Sequence, residues 1–271
     1  MVESLKELNL ICQKPRYREV GNWMVRRIVR DTALPITWLL LHTPVTANQV
    51  TLASLLIGLV GILFFSFPGK GMFLAGAILL QFWYLLDHVD GQVARYRGTA
   101  SLTGRFFDYM THHLIHGVIF FSLGLYVYRE THRFFFVLWG FFASISILMF
   151  NLIHDTKYKT FFDKLTNLKT IKVVSKEASH QGKLGANRLR KVFTILHKVC
   201  EIHVLMNILT CSALLEVLFK SHLDSRSILF CFYAVVVPTL ALTKITYVIL
   251  SQQIDKDFDA HFQITEEGTL R

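Results

Sequence analysis

The sequence has few cysteines and no closely paired ones. Only four occur among 271 residues, and they are widely separated. Zinc sites and small disulfide frameworks need several cysteines at short, regular spacing. An isolated cysteine in an apolar run usually acts as a small hydrophobic residue. We therefore predict neither a zinc site nor a disulfide from these residues, which are Cys12, Cys200, Cys211 and Cys231.

Acidic residues are also scarce, and the sequence shows neither a signal-peptide pattern nor internal repeats. The chain has 19 Asp and Glu against 29 Lys and Arg, a net charge of +10. Residues 1–20 lack the apolar core and small-residue cleavage pattern of a signal peptide, so we expect the first apolar run to insert and stay. No internal repeat or broken helix pair is evident, which disfavours a transporter built from inverted repeats.

Long apolar runs are what the sequence does contain. Apolar residues make up 52% of the chain and the mean hydropathy is +0.41. A membrane-spanning helix needs about 20 mostly apolar residues. Six runs approach this length, and a soluble core would bury six spaced runs with difficulty. We predict an all-α integral membrane protein with six transmembrane helices, over residues 48–67, 72–94, 106–128, 134–153, 200–219 and 228–250.

The segments outside the spans divide the chain into three parts. Residues 21–42 alternate tryptophan and arginine with apolar residues, as in a helix lying in the membrane interface. The alternative is a plain extension of the first span. We predict a cytoplasmic arm and interfacial amphipathic helix at 1–42, a catalytic membrane domain at 43–251 and a polar C-terminal tail at 252–271.

The positive charge is concentrated in loops that share one side of a six-span topology. Residues 155–191 hold ten Lys or Arg and three Asp or Glu, inside a basic loop at 155–195. The N-terminal arm adds further arginines. Loops rich in Lys and Arg stay in the cytoplasm, so we predict that this side is cytoplasmic. Anionic lipid headgroups lie beside the same loop, and we therefore expect no nucleic-acid partner.

Three carboxylates and a histidine stand out within the apolar runs. Asp87 and Asp90 are three residues apart, and Asp108 and His112 are four apart, so each pair shares one helix face. The second and third spans are antiparallel with a cytoplasmic connection, so the two pairs lie at similar depth and can converge. Buried carboxylates repel one another strongly unless cations compensate them.

Two kinds of cation can provide this compensation. One is an arginine side chain, in ion pairs such as Asp90 with Arg97 or Asp108 with Arg105, although burying an ion pair in a membrane protein is energetically costly. The other is a divalent ion, since oxygen ligands favour Mg²⁺, Mn²⁺ or Ca²⁺. Magnesium keeps positions open for phosphate oxygens. We therefore predict a divalent-metal site that holds a phosphate or pyrophosphate substrate.

The stretch from Asp87 onward resembles the signature of the CDP-alcohol phosphotransferases, also called phosphatidyltransferases: D-x2-D-G-x2-A-R-x8-G-x3-D-x3-D. The last position, an aspartate in the family, is His112 here. Asn48 and Thr51, in the sequence TANQVT, also resemble the polar pair at the start of the family's first span. The remaining fixed positions all match, at Asp87, Asp90, Gly91, Ala94, Arg95, Gly104 and Asp108.

The resemblance implies a reaction. Such enzymes move a phosphatidyl or phosphoalcohol group from a CDP-alcohol, commonly CDP-diacylglycerol, to an acceptor hydroxyl and release CMP. It also implies two Mg²⁺ or Mn²⁺ ions, a lipid bilayer environment and a homodimer. By motif matching, the metal ligands are Asp87, Asp90, Asp108 and His112, the catalytic residues are His112 and Asp108, and the nucleotide-binding residues are Asn48, Thr51, Asp90, Gly91, Ala94, Arg95 and Gly104.

The histidine at the last signature position leaves three interpretations open. His112 replaces the aspartate as both metal ligand and base, or acts as the base alone. In the third interpretation the protein binds the CDP-lipid without turnover, as a scaffold. We predict an active enzyme, because a decayed site would be expected to lose other ligands too.

The acceptor is a small polar alcohol that the sequence does not identify. Lys244 lies inside the sixth apolar run, and an intramembrane lysine is a candidate functional residue. His116 shares the helix face of Asp108 and His112. We predict that Lys244 and His116 contribute to acceptor binding; snorkelling or pairing of the lysine with a carboxylate is the alternative.

Overall fold

The computed structural model describes residues 3–13, 16–19, 21–166, 174–175, 188–220 and 223–263, and the structural statements that follow concern these residues. They form an all-helical bundle with one two-residue antiparallel strand pair, which the all-α prediction did not include. A five-residue π-helical segment, Val25–Val29, leads directly into α2. The elements are α1 (Leu5–Cys12), α2 (Arg30–Leu41), α3 (Ala47–Phe65), α4 (Lys70–Tyr96), α5 (Leu102–Thr131), α6 (Phe135–Thr166), β1 (Val174–Ser175), α7 (Arg188–Val199), α8 (Ile202–Leu218), α9 (Ser225–Leu250), α10 (Gln253–His261) and β2 (Phe262–Gln263).

Five helices are long and apolar enough to cross a membrane: α3, α4, α5, α6 and α9. The segment predicted as the fifth of six spans, residues 200–219, forms α8. This helix passes the length and apolarity test only together with α7 before it, and the two bend by 70° relative to each other. The prediction of an all-α membrane fold is confirmed, and the number of spans is five, or six if the bent pair is counted as one span.

Several helices extend beyond the predicted spans. The fourth run was expected to end at residue 153, yet α6 continues to Thr166 through a polar and basic segment. Apolarity marks the part of a helix that lies in hydrocarbon, whereas backbone hydrogen bonding continues as long as no residue breaks it. The first part of the predicted loop 155–195 is therefore helix, and residues 167–173 and 176–187 lie outside the described part.

The N-terminal arm contains a docked helix. A capping box between Ser4 and Glu7 starts α1. Leu8 and Cys12 are fully buried, and the Tyr96 hydroxyl of α4 donates to the Glu3 carboxylate at 2.5 Å. The prediction of a cytoplasmic arm did not include this helix, because its two buried residues give only a weak periodic signal.

Glycines bring neighbouring helices into backbone contact. A Cβ at Gly76 of α4 would lie 2.6 Å from the Gly61 oxygen of α3. A Cβ at Gly124 of α5 would lie 2.7 Å from the Phe136 oxygen of α6 and 3.0 Å from the Gly140 Cα. Small residues at such crossings let membrane helices approach closely. These contacts fix the antiparallel arrangement of α3 to α6, on which the site depends.

The polar tail also folds back on the bundle. Phe258 of α10 is buried and contacts Phe161 on the extension of α6, with ring centroids 5.3 Å apart. The Lys157 ammonium donates to the Asp257 carboxylate at 2.6 Å. β1 and β2 pair next to this contact. Part of the predicted 252–271 tail is therefore a helix packed against α6.

Candidate active site

The connection between α4 and α5 sets the geometry of the site. Gly98 has a φ of +63°, a conformation that favours glycine. The Ser101 hydroxyl caps α5 by accepting from the Gly104 amide at 3.0 Å. Arg97 donates to the carbonyls of Val45 at 2.5 Å and Thr43 at 2.6 Å, which ties the turn to the segment before α3. The carboxylate pairs of α4 and α5 therefore face each other, as their spacing predicts.

Asp87, Asp108 and His112 meet at the centre of this arrangement. The Nε2 atom of His112 lies 2.8 Å from Oδ1 of Asp87 and 3.4 Å from Oδ1 of Asp108. One ligand atom from each residue lies within 4.8 Å of the other two. This is a candidate metal site formed by two carboxylates and one imidazole.

Asp90 lies beside the group without joining it. Its Oδ2 atom accepts a 2.6 Å hydrogen bond from the Thr51 hydroxyl of α3, and the side chain is buried. Thr51 therefore positions the carboxylate that the signature places among the metal ligands. The structure groups three of the four predicted ligands and brings Asp90 to the wall of the same cavity.

Arginine and lysine do not neutralise these carboxylates in the described part of the chain. The basic side chains within 4.0 Å of Asp87 and Asp108 are histidines. Arg97 is engaged with backbone carbonyls. Oδ1 of Asp108 is buried, and its 3.4 Å contact with Nε2 of His112 does not complete a hydrogen bond. Unsatisfied carboxylate oxygens next to an imidazole fit a divalent cation, so the donor set supports the metal interpretation over a set of ion pairs.

A cavity of about 410 Å³ opens beside the aspartates, and we call it the carboxylate cavity. Residues from α3, α4 and the start of α5 line it. All seven residues predicted to bind the nucleotide are among them, together with Asp87 and Asp108. The predicted nucleotide-binding residues that line it are Asn48, Thr51, Asp90, Gly91, Ala94, Arg95 and Gly104.

Two local contacts show how these residues are arranged. Arg95 donates from Nε to the Cys12 carbonyl of α1, so it is held by the N-terminal arm while it lines the cavity. A Cβ at Gly91 would lie 3.1 Å from Nη1 of Arg95, so glycine leaves room for that guanidinium. A Cβ at Gly104 would lie 3.5 Å from the Asn48 amide oxygen, which places these two predicted residues side by side.

A second polar cavity, of about 430 Å³, adjoins His112 from the other side. We call it the histidine cavity, because six histidines line it: His112, His113, His116, His154, His197 and His203. Lys244 lines it as well. Both residues predicted to bind the acceptor, Lys244 and His116, are therefore in a cavity that shares His112 with the metal site. A larger cavity of about 640 Å³, between α6, α9 and α10, contains none of the predicted site residues.

Sequence reasoning did not assign several residues around the site. Gln92 is buried, accepts from the Thr37 hydroxyl at 2.6 Å and donates to the Arg30 carbonyl at 3.0 Å. His88 contacts Asp87 at 3.7 Å. Both occupy variable positions of the signature, and a position that the pattern leaves free gives no sequence signal. Asn151 and His197 come from α6 and α7, whose distance along the chain hides their proximity.

Comparison with known proteins agrees with this fold. Residues 44–176 match the sequence profile of the CDP-alcohol phosphatidyltransferases, and the matched segment includes the whole signature. A search of curated proteins finds no match. The fold is thus that of a membrane-embedded transferase. The match places residues 44–176 in the CDP-alcohol phosphatidyltransferase family, and it supports a phosphotransferase enzyme of phospholipid synthesis.

Solved structures of phosphatidylinositol phosphate synthase from Mycobacterium tuberculosis have the same fold. The structure with CDP-DAG bound is 18% identical, covers 82% of this chain and 94% of its own, and has a TM-score of 0.53. The structure with manganese and citrate is 19% identical, covers 80% and 88%, and has a TM-score of 0.52. At these identities the likeness concerns the fold.

Proposed function

We propose that the enzyme transfers a phosphatidyl group from CDP-diacylglycerol to a small polar alcohol. The acceptor oxygen bonds to the β-phosphorus, the bond from that phosphorus to the CMP oxygen breaks, and CMP leaves with the electron pair. The observation that carries this proposal is the convergence of Asp87, Asp108 and His112 beside a cavity lined by the matched signature residues. The related synthase that binds CDP-DAG supports the choice of donor.

Asp87, Asp90 and Asp108 would hold two Mg²⁺ or Mn²⁺ ions, and the single lone pair of the neutral His112 ring is assigned to proton transfer. When bound, such ions neutralise the pyrophosphate and stabilise the leaving phosphate. The buried Oδ1 of Asp108 without a hydrogen bond and the short distances within the group support this assignment. The manganese in a structure of the same fold is consistent with it.

His112 is the proposed base. A carboxylate only accepts hydrogen bonds, so the 2.8 Å contact with Asp87 requires a proton on Nε2. Nδ1 then carries the lone pair and forms no hydrogen bond with the described residues. It would take the proton of the acceptor hydroxyl, while Asp87 and Asp108 hold the ring. The packing of Trp83 edge-on to the imidazole, at 5.2 Å between centroids, further limits rotation of the ring.

The carboxylate cavity would bind the CDP moiety. Asn48, Thr51, Gly91, Ala94 and Gly104 would surround the cytidine and its phosphates, and Arg95 would supply a fixed positive charge. The α1 contact with Arg95 would keep that guanidinium at the cavity wall. On the other side of His112, Lys244 and His116 would bind the acceptor.

The site would face the cytoplasm. It lies at the end of the bundle that carries the α2–α3 and α4–α5 connections and the basic continuation of α6. Excess Lys and Arg retains such connections in the cytoplasm.

We further propose that the enzyme is a homodimer, which crosslinking in membranes at low protein density would test.

The decisive experiment is an assay of the purified protein with CDP-diacylglycerol, Mg²⁺ or Mn²⁺ and a panel of alcohols. Metal-dependent release of CMP together with a lipid phosphodiester would support the proposal. Binding of CDP-diacylglycerol without CMP release under any of these conditions would contradict it and indicate a scaffold.

A further inference from the structure

Lys244 is a membrane lysine without a carboxylate partner in the described part of the chain. It lies inside α9, half-buried, and its Nζ is 3.8 Å from the Phe150 ring centroid and 3.5 Å from the Phe150 carbonyl oxygen. A cation within a membrane-spanning helix is costly and usually has a compensating group. The ring and a long carbonyl contact compensate only part of this charge.

The carboxylates of the histidine cavity are engaged with histidines. Asp155 lies 2.9 Å from His113 and 3.3 Å from His154. Glu201, at the break between α7 and α8, lies 3.3 Å from His203 and 3.7 Å from His197. The pairing of Lys244 with a carboxylate, the alternative left open by the sequence, therefore does not occur among the described residues.

A second donor in this cavity is also unsatisfied. The Nδ1 atom of His116 is 3.3 Å from the Asn151 amide nitrogen. With the amide as donor, Nδ1 accepts and the proton of the neutral ring is on Nε2. Nε2 is buried, in a side chain that is 6% exposed, and no group among the described residues meets full hydrogen-bond geometry with it, the Cys200 carbonyl being the nearby backbone acceptor. A buried donor without a full hydrogen bond is unfavourable, which indicates a ligand atom that accepts from it.

Together these groups match a phosphate. We propose that the histidine cavity selects an acceptor alcohol that carries a phosphate monoester, which is bound by Lys244 and by Nε2 of His116. The acceptor's free hydroxyl then lies at His112, the one lining residue that the cavity shares with the metal site. A phosphate ester has about two negative charges at neutral pH and three acceptor oxygens. The proposal rests on the proposed function, because it identifies the acceptor of that reaction.

Matched pairs of acceptors test the inference on the wild-type enzyme. Glycerol is compared with glycerol 3-phosphate, inositol with inositol 1-phosphate, and serine represents a carboxylate. We expect kcat/KM for CMP release to be at least about 100-fold higher for the phosphorylated member, since hydrogen bonds to charged groups contribute about 1.5–3 kcal/mol each. Equal rates within each pair, or a preference for serine, would overturn the inference and leave the proposed function intact.

Variants locate the effect. Lys244→Gln should lower kcat/KM for the phosphorylated acceptor by about 10- to 100-fold more than for the neutral alcohol, while Lys244→Arg retains most activity with both. Lys159→Gln, at an exposed position on α6, is the control. An equal loss for both acceptors in Lys244→Gln would contradict the assignment.

A binding measurement separates the inference from the reaction. Calorimetric titration of the wild type with glycerol 3-phosphate, without donor, should give saturable binding that glycerol does not give and that Lys244→Gln weakens. If no acceptor supports CMP release, the proposed function fails, and the titration still decides whether the cavity binds a phosphate ester.

Discussion

The two ends of the bundle both bury charge, but they satisfy it differently. At the end opposite the site, Arg226 is 2% exposed and donates to the carbonyls of Phe67 at 2.7 Å and Gly69 at 3.3 Å. Its guanidinium lies 3.6 Å from the Tyr126 ring centroid. Glu216 accepts from the Ser225 amide at 2.6 Å and its hydroxyl at 2.5 Å. Nε of Arg226 has no hydrogen-bond partner among the residues that the structure describes, but its other two guanidinium nitrogens and the Tyr126 ring stabilise the charge, so we interpret this end as structural.

At the site end the protein leaves charge without such partners. Asp108 has a buried oxygen without a hydrogen bond, and imidazoles are the basic side chains in contact with Asp87. Buried polar groups in a folded protein are normally hydrogen-bonded. The difference between the ends indicates that ligands complete the site, and mutations should affect activity at one end and stability at the other.

Removal of a metal ligand should have the largest effect. Asp87→Asn or Asp108→Asn should lower CMP release by at least about 1000-fold, since bound metal supplies several kcal/mol of transition-state stabilisation. The thermal unfolding temperature should stay equal or rise, because one of several neighbouring carboxylates is neutralised. CMP assays and unfolding curves are measured on the same preparations. A loss of folding that parallels the loss of activity would break the proposed contrast between the two ends.

His112 should be almost as important. His112→Ala should abolish turnover, a loss of about 100- to 10,000-fold for a missing base, and His112→Asp should retain some activity. Binding of Mn²⁺, measured by electron paramagnetic resonance, distinguishes the roles: unchanged affinity in His112→Ala indicates a base alone. His132→Asn is the control, at an exposed position with φ +54° at the far end of the same helix. Wild-type activity in His112→Ala would refute the assignment.

At the opposite end, Arg226→Met should destabilise the protein. It removes hydrogen bonds from a buried charged group, so we expect a loss of about 2 kcal/mol and a fall of about 5 °C in Tm. The activity of the folded fraction should not change. Arg133→Met, at an exposed position on the same side, should leave Tm unchanged. Lost activity at unchanged Tm in Arg226→Met would show that this end also acts in the reaction.

The contrast also explains what the sequence could predict. Asp87, Asp90, Asp108 and His112 lie at fixed helical spacing on two consecutive spans, so periodicity alone brings the pairs together. The hydrogen bond from Thr51 to Asp90 depends on how closely α3 packs against α4, which spacing does not determine. The same holds for Asn151, whose contact with His116 requires the close packing of α5 and α6 at Gly124 and Gly140.

The ion pair between Lys157 of α6 and Asp257 of α10 belongs to neither end that has been compared, and its removal has the smallest expected effect. Burial alone would raise the pKa of Asp257, but hydrogen bonds from Lys157 and Gln253 lower it below its ordinary value. The pair therefore stabilises the docked α10 fully above about pH 4, the ordinary carboxyl pKa, and this stabilisation is lost as the pH falls through the lowered pKa.

Asp257→Asn should weaken docking of α10 by no more than about 1 kcal/mol and remove this pH dependence. Hydrogen exchange of residues 253–261 from pH 7 to pH 3 measures both effects. Asp259→Asn, on the exposed side of α10, is the matched control. Activity should remain, because neither Asp257 nor Lys157 lines the carboxylate cavity or the histidine cavity. If exchange in Asp257→Asn equals that of the wild type at pH 7, Phe258 and its aromatic contacts alone hold α10. The Asp257–Lys157 ion pair would then contribute neither to stability nor to activity.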